Sequence, residues 1–267
     1  MRLIKSEEIK PLLLDILLHI DSFCKKHGIR YYLSGGTALG AVRHHGFIPW
    51  DDDIDIMMFR DDYERFLTLY KDSDQGEYTL HSFGDNKRYL FPYAKIDNSQ
   101  TLLIEDLNQP SPFGINIDIF PIDNLPDSIE RQKHIYHKAG FLKAVLSLKQ
   151  IKINKSRKPA KNILLACGRF LLLPFSTYSI VKSLATLHRS FPCPESSYCG
   201  VVVWGYGMSE VNEKKVFSGV LLTSFEGHQF PIPVGYDTYL HSLYGNYMEL
   251  PPLEKRKTHH SSVAYWK

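Results

Sequence analysis

The sequence predicts an α/β (α+β) fold, in which helices flank a mixed β-sheet and a basic helical region is added. Residues 12–27 place apolar side chains at helical spacing, and Gly28 then ends the helix. Residues 30–45 indicate a short strand, a Gly-Gly turn and a second helix that Thr37 can cap. Residues 54–58 alternate around acidic side chains, as a strand with one buried face does.

The same α/β pattern continues to residue 126. Pro11 is expected to mark or kink the start of the first helix. A further helix is predicted at about residues 60–70. Strands are predicted near residues 78–83, 89–96, 101–105 and 115–120. With 267 residues and 43% hydrophobic content, the chain can bury a sizeable core, which we assign to residues 1–126.

Residues 127–194 form the predicted basic helical region. Two prolines, Pro159 and Pro174, divide it into two or three helices. Thirteen Lys and Arg side chains and no acidic ones lie between Glu130 and Glu195. This imbalance favours peripheral contact with an anionic membrane surface. No nucleic-acid partner is expected, because no recognisable binding module surrounds these charges.

Residues 195–267 are expected to complete the site. They contain short β-prone pieces at 201–204, 217–225 and 229–233, followed by a helix at 236–244. The chain shows no apolar run of the kind that signal peptides or membrane spans require, so a cytoplasmic location is expected. Its four cysteines are scattered without paired spacing and are expected to be reduced thiols.

Three aspartates carry the predicted chemistry. Asp53 and Asp55 stand two residues apart on a strand, so their side chains point to the same face and repel unless a cation lies between them. Asp118 offers a third carboxylate on a second strand. Such an oxygen-only set suits Mg²⁺ or Mn²⁺, and two ions could bridge a phosphoryl group during transfer.

The Gly35-Gly36 turn is the predicted phosphate site. A helix follows it directly, so its backbone N–H groups can face an anion, and the missing side chains allow close approach. Arg43, about two turns into that helix, could reach the same phosphates. The glycine turn and the three carboxylates together indicate metal-dependent phosphoryl transfer.

The order of these features resembles the nucleotidyltransferase superfamily. The continuous stretch 31–66 is similar to the signature of its LicD family of phosphorylcholine transferases, which belongs to the fukutin-related branch. Further similarity lies at 93–96, at 117–123 and in the C-terminal part from Leu243 to His259. One departure is Asn246, where the family pattern leads us to expect an acidic residue.

The resemblance implies transfer of phosphocholine from CDP-choline to a sugar hydroxyl of a bacterial cell-surface glycan, such as a lipid-linked teichoic acid precursor. It also implies that Asp53, Asp55 and Asp118 are the metal ligands and that Asp118 assists deprotonation of the acceptor. Side chains expected to hold the substrate phosphates, or to fold over the site from the tail, are Arg43, Lys95, Arg256 and His259. Aromatic side chains expected to include the wall around choline are Trp50, Tyr93, Phe113, Trp204, Tyr206, Tyr244 and Tyr247.

Three other functions remain open at this point. The enzyme could use another CDP-linked alditol phosphate, as a fukutin-like transferase would, or it could transfer a nucleotide by attack at the α-phosphorus. A noncatalytic glycan-binding or lipid-binding protein is the third alternative, which the intact carboxylates and glycine turn disfavour. The acceptor sugar and the attacked hydroxyl are not specified by the sequence.

Overall fold

The computed structural model describes residues 1–104, 113–152, 159–256 and 263–267. In chain order the strands of these residues are β1 (Arg2–Leu3), β2 (Tyr32–Leu33), β3 (Asp55–Phe59), β4 (Tyr78–His81), β5 (Ala94–Asn98), β6 (Thr101–Ile104), β7 (Asn116–Leu125), β8 (Tyr198–Val201), β9 (Asn212–Glu213), β10 (Val220–Phe225), β11 (His228–Pro233) and β12 (Val263–Trp266). The helices are α1 (Ser6–His27), α2 (Gly35–His44), α3 (Arg60–Lys71), α4 (Ile129–Gln150), α5 (Pro159–Leu171), α6 (Thr177–Ala185) and α7 (Tyr236–Tyr244).

A central mixed sheet positions the predicted site. Its strands run in the order β2-β3-β7-β5-β4, and β8 and β9 extend it beside β7. Strands β3 and β7 are parallel, whereas the other paired strands of this sheet are antiparallel. The first half of β7 pairs with β5 and its second half pairs with β8. The predicted mixed α/β fold is therefore confirmed.

Helix α1 covers this sheet with the apolar stripe that the sequence predicts. Leu13, Ile16, Leu17, Ile20 and Phe23 are all buried in the main core. The helix begins at Ser6, so Pro11 lies inside it and does not mark its start. Gly28 ends the helix with a left-handed backbone, as expected, since its φ is 60°.

The basic helical region forms three helices in the described residues and shares a second core with the sheet. Buried side chains of α4 and α6, including Ile135, Leu146 and Val181, pack together with Leu125 of β7 and with Val202 beyond β8. The region is thus packed against the central sheet. None of the helices in the described ranges combines the length and apolar character needed to cross a bilayer.

Several predicted strands shift along the chain. The strand predicted at 89–96 begins only at Ala94, because Pro92 cannot donate to a sheet ladder. The strand predicted at 201–204 is displaced to β8, and that predicted at 217–225 begins at Val220 after a 3-10 turn. Helix α7 matches its prediction at both ends. All four cysteines are free thiols.

Candidate active site

A row of charged side chains crosses three neighbouring strands. Asp55 of β3 pairs in register with Asp118 of β7, and Asp118 pairs with Lys95 of β5. Residues directly opposite one another project from the same face of a sheet. The Lys95 Nζ donates to Asp118 Oδ1, and it also donates to Asn116 Oδ1 at 3.0 Å. The structure therefore brings two of the predicted carboxylates together with the predicted lysine.

Asp53 differs from its predicted placement because β3 begins at Asp55 and leaves Asp53 in the preceding loop. Both side chains nevertheless line the same two cavities. Desolvation, followed by the negative charges of Asp53 and Asp118, raises the pKa of Asp55 well above its usual value. Lys95 acts in the opposite direction. At Asp55 the negative charges of Asp53 and Asp118 therefore outweigh the positive charge of Lys95.

The donor atoms suit the predicted metal, because Mg²⁺ and Mn²⁺ prefer carboxylate oxygens and excess negative charge favours a divalent cation. Across the described ranges, however, no three His, Cys, Asp or Glu side chains lie close enough together to hold a metal ion by themselves. Asp118 is instead neutralised by Lys95. The metal site stays a prediction.

The Gly-Gly segment lies in the first turn of α2. Gly35 has a φ of 49°, and its N–H donates to the hydroxyl of Tyr239 at 3.0 Å, so this N–H already has a partner within the protein. Gly36 lies under Asp51, since a Cβ on Gly36 would stand 2.9 Å from the Asp51 Oδ2. The space left by the missing side chain of Gly36 is thus taken by the Asp51 carboxylate, and the predicted close approach of a phosphate stays a prediction.

Thr37 is not the helix cap that the sequence predicts. The N-cap of α2 is Ser34, and Thr37 lies inside the helix. The Thr37 hydroxyl oxygen accepts the backbone N–H of Asp55 at 2.9 Å. This bond ties the glycine-led helix to the strand that carries the carboxylate.

Two cavities meet at Asp53 and Asp55. The larger has a volume of about 700 Å³ and the smaller about 360 Å³, and Tyr206 also lines both. Predicted site residues that line the larger cavity are Gly36, Arg43, Trp50 and Tyr244. Predicted site residues that line only the smaller one are Gly35, Lys95 and Asp118. The carboxylates therefore stand where two bound groups could meet.

Arg43 and Arg256 position the C-terminal segment at the larger cavity. The Arg43 Nη1 donates to the carbonyl oxygens of Tyr247 at 2.6 Å and Glu249 at 3.3 Å. The Arg256 guanidinium lies 5.5 Å from the centre of the Trp50 ring. Arg256 thus lies beside Trp50 but lines neither of the two cavities, and its expected role over the site stays a prediction. The predicted residue His259 lies outside the described residues.

Asn246, the departure from the family pattern, also lines the larger cavity. Its side-chain amide donates to Glu249 Oε1 at 2.6 Å. Glu249 lines the same cavity, so a carboxylate is present in this loop three residues after the position where one was expected.

The aromatic side chains that were predicted to surround choline are divided between the two cavities. Tyr93 and Trp204 line the smaller cavity and Tyr247 lines the larger. Phe113 lines neither of the two and instead packs against His81 and other aromatic rings.

Sequence reasoning missed two charged residues of the smaller cavity. Glu210 is only 4% exposed and accepts the N–H of Tyr206 at 3.1 Å, and burial raises the pKa of Glu210 to about 7. Lys143 of α4 donates to the carbonyl oxygen of Gly205 at 2.9 Å and lies 5.1 Å from the centre of the Trp204 ring. A lone Glu and one Lys among thirteen cations give no periodic signal that could have identified them.

Comparisons with known proteins agree with these features. Residues 28–160 match the family described as "LicD/FKTN/FKRP, nucleotidyltransferase domain". The lipopolysaccharide cholinephosphotransferase LicD of Haemophilus influenzae is 35% identical over 260 residues, which cover 94% of each chain. The ribitol 5-phosphate transferase FKRP of Homo sapiens is 51% identical over 35 residues, which cover 13% of this chain and 7% of FKRP. Because the similarity to the Haemophilus protein extends over nearly the whole of both chains, the protein belongs to the LicD family.

Proposed function

We propose that the protein transfers phosphocholine from CDP-choline to a sugar hydroxyl of a bacterial cell-surface glycan, such as a lipid-linked teichoic acid precursor, and releases CMP. The observation that carries the proposal is the row of Asp55, Asp118 and Lys95 at the junction of two cavities. Phosphocholine is chosen as the transferred group because a relative that matches over nearly the full length is a lipopolysaccharide cholinephosphotransferase. We also propose that the reaction takes place in the cytoplasm, at the inner face of the membrane.

The two cavities support a binding mode in which the two ends of CDP-choline occupy different cavities. The larger cavity, at about 700 Å³, is in the range that suits a nucleotide-sized ligand, and Gly36, Arg43 and Trp50 would contact the CMP half there. The smaller cavity, at about 360 Å³, would take the choline end. The scissile phosphate would then lie beside Asp53 and Asp55, which line both.

The lining of the smaller cavity supports choline binding. A quaternary ammonium has no hydrogen-bond donor and is held by aromatic faces and negative charge. Rings of this cavity already attract cations, because the Lys95 Nζ lies 5.4 Å from the centre of the Tyr93 ring and Lys143 lies over Trp204. Glu210 lines the same cavity, and above its raised pKa of about 7 it would supply a negative charge there.

We further propose that Asp53, Asp55 and Asp118 hold Mg²⁺ or Mn²⁺, as two ions, when the substrate is bound. The metal would offset the negative charge of the phosphates and of the carboxylates around Asp55. Substrate oxygens would complete the ligand set, which explains why these side chains need not enclose an ion on their own.

In the proposed step, the acceptor oxygen forms a bond to the choline-bearing phosphorus while the bond from that phosphorus to the CMP oxygen breaks. Asp118 takes the hydroxyl proton, and CMP leaves with the electron pair. Lys95 fixes the orientation of Asp118 through its bond to Oδ1. Arg43 anchors the loop that borders the larger cavity.

CMP release with Mg²⁺, CDP-choline and a glycan acceptor tests the proposal. Wild-type protein is compared with Asp53→Asn and Asp118→Asn, and Asp61→Asn on the exposed face of α3 serves as the matched control. We expect metal-dependent and acceptor-dependent release that is lost in both site variants and kept in the control. Turnover of CDP-ribitol in place of CDP-choline would instead indicate that this protein transfers ribitol phosphate, the group named for the relative FKRP. Pyrophosphate release from a nucleoside triphosphate would support nucleotidyl transfer and contradict the proposal.

A further inference from the structure

Helix α5 turns its more apolar side chains outward. Its exposed face carries Ile163, Leu164, Phe170 and Leu171, and the exposed side chains Leu173 and Phe175 follow directly; all six are between 59% and 74% exposed. The spacing of the four helical residues places them on one side of the helix. No residue of α5 is buried. The protein therefore displays six exposed apolar side chains in this short segment, which we name the α5 face.

Helix α5 and the turn that follows it are held against α4 largely by polar and backbone contacts. The Arg169 Nε donates to the carbonyl oxygen of Leu148 at 3.1 Å, and Gly168 lets the Leu148 side chain approach closely. The Lys149 Nζ donates to the carbonyl oxygens of Leu172 at 2.9 Å and Phe175 at 2.6 Å. A helix of a soluble domain turns its apolar side to the core. In α5 the exposed side has the larger share of large apolar residues. We therefore expect this side to be covered by another surface.

The charge of the helical region that contains α5 indicates what covers this face. The sequence has no Asp or Glu between Glu130 and Glu195, and exposed cations of this region include Lys138, Lys161 and Lys182. A second copy of the chain would bring the same positive charges together, which is unfavourable. An anionic lipid surface meets both features, because acyl chains accept the apolar face and head groups attract the cations.

We propose that the α5 face is a membrane-docking surface that inserts into the interfacial layer of an anionic bilayer. Helix α4, against which α5 packs, also carries Lys143 of the smaller cavity. Docking through α5 thus brings the site to the surface at which a lipid-linked acceptor is presented. The docking itself depends on no feature of the donor or of the carboxylates.

Flotation of the full-length protein with vesicles tests this proposal. Vesicles of equal parts phosphatidylglycerol and phosphatidylcholine are compared with vesicles of phosphatidylcholine alone. We expect the wild type to bind the anionic vesicles, with an affinity that falls as salt is added. The double variant Leu164→Ser/Leu171→Ser should bind the same vesicles roughly tenfold more weakly than the wild type, or weaker still. The matched control Leu221→Ser/Leu222→Ser, on exposed positions of β10, is expected to bind like the wild type. In a Phe170→Trp variant, the fluorescence of the introduced tryptophan should be quenched by brominated lipid.

Equal binding of the α5 variant and the wild type would overturn the proposal, and so would equally weak binding of the wild type to both vesicle types. Light scattering gives the oligomeric state in the absence of lipid. A wild-type dimer that becomes monomeric in the α5 variant would show that a second copy covers the face, against the proposal. CMP release with a water-soluble acceptor should be unchanged in the α5 variant. Vesicle binding in a protein that releases no CMP would uphold docking and reject only the proposed chemistry.

Discussion

Asp123 tests whether the two faces of β7 have separate roles. It lies five residues after Asp118 on the same strand, and an odd spacing places the two side chains on opposite faces. Asp123 is only 3% exposed, and both its oxygens accept from Arg60, at 2.8 Å from Nε and 2.9 Å from Nη2. We predict that Asp123→Asn lowers stability while the chemistry at Asp118 persists.

The size of the loss follows from the geometry of the pair. Removing one partner of a buried ion pair costs about 3 to 5 kcal/mol, because the other charge is left without compensation. The Arg60 side chain is 18% exposed and keeps Glu64 at 3.4 Å, so the lower end applies. We expect a loss of roughly 3 kcal/mol, which corresponds to a fall in Tm of roughly 6 to 12 °C for a chain of this size.

Urea and thermal unfolding measure this loss, and CMP release well below the Tm of the variant measures activity. The matched control is Glu64→Gln, which removes the exposed partner of the same arginine and should cost less than about 1 kcal/mol. If Asp123→Asn cost no more than the control, Arg60 would not depend on the buried pair. If CMP release disappeared from a variant that is still folded, Asp123 would belong to the chemistry and the two-face argument would be wrong.

Three further predictions concern stability and charge. Asp55→Asn should unfold no more easily than the wild type in chelator, because burial and the charges of Asp53 and Asp118 disfavour the ionised form of Asp55. It should nevertheless release no CMP, because the proposed metal would lose a ligand; easier unfolding would contradict this prediction. The pKa of Glu210 is raised from 4.5 to about 7, so the folded state keeps a proton that the unfolded state has lost, and stability falls as pH rises through this window. Between pH 5 and 8 the wild type should lose roughly 2 to 3 kcal/mol relative to Glu210→Gln in urea unfolding, and parallel pH profiles would refute this prediction. Gly40→Ala should cost about 1 to 3 kcal/mol, because a Cβ there would stand 2.5 Å from the carbonyl oxygen of Gly46, whereas Gly140→Ala, with open space, should stabilise slightly in the same thermal assay.

The central acidic residues could be located from sequence because they depend on local patterns. Alternation around Asp55 and around Asp118 predicted two strands that each have one polar face, and parallel pairing then brings these two residues into register. The exact start of β3 could not be predicted, because Asp53 continues the alternation and only the pairing of β3 with its neighbours excludes it. Helix boundaries failed similarly at Ser6, where the Glu8 side chain accepts the N–H of Lys5 upstream of the proline.

The rest of the site depends on contacts between distant parts of the chain. The Gly35 N–H is taken by Tyr239, which lies 204 residues away, and Glu210 reaches the smaller cavity from a 3-10 turn. Neither contact leaves a periodic trace in the sequence. Glutamate side chains are usually exposed, so the sequence gives no reason to expect that Glu210 is buried. Its burial could be seen only in the fold.

The topology explains how α5, the proposed docking helix, and the candidate active site are connected. The helical region leaves the sheet after Leu125 at the end of β7, and the chain returns as β8, whose Tyr198 pairs with that same Leu125. Both ends of the region are therefore fixed to the strand that carries Asp118. A lipid surface that holds α5 would act through the packed helix α4 on this strand, and so would set the orientation of the carboxylate row relative to the bilayer. Such an attachment would position an acceptor hydroxyl without requiring any residue of the row to contact the membrane.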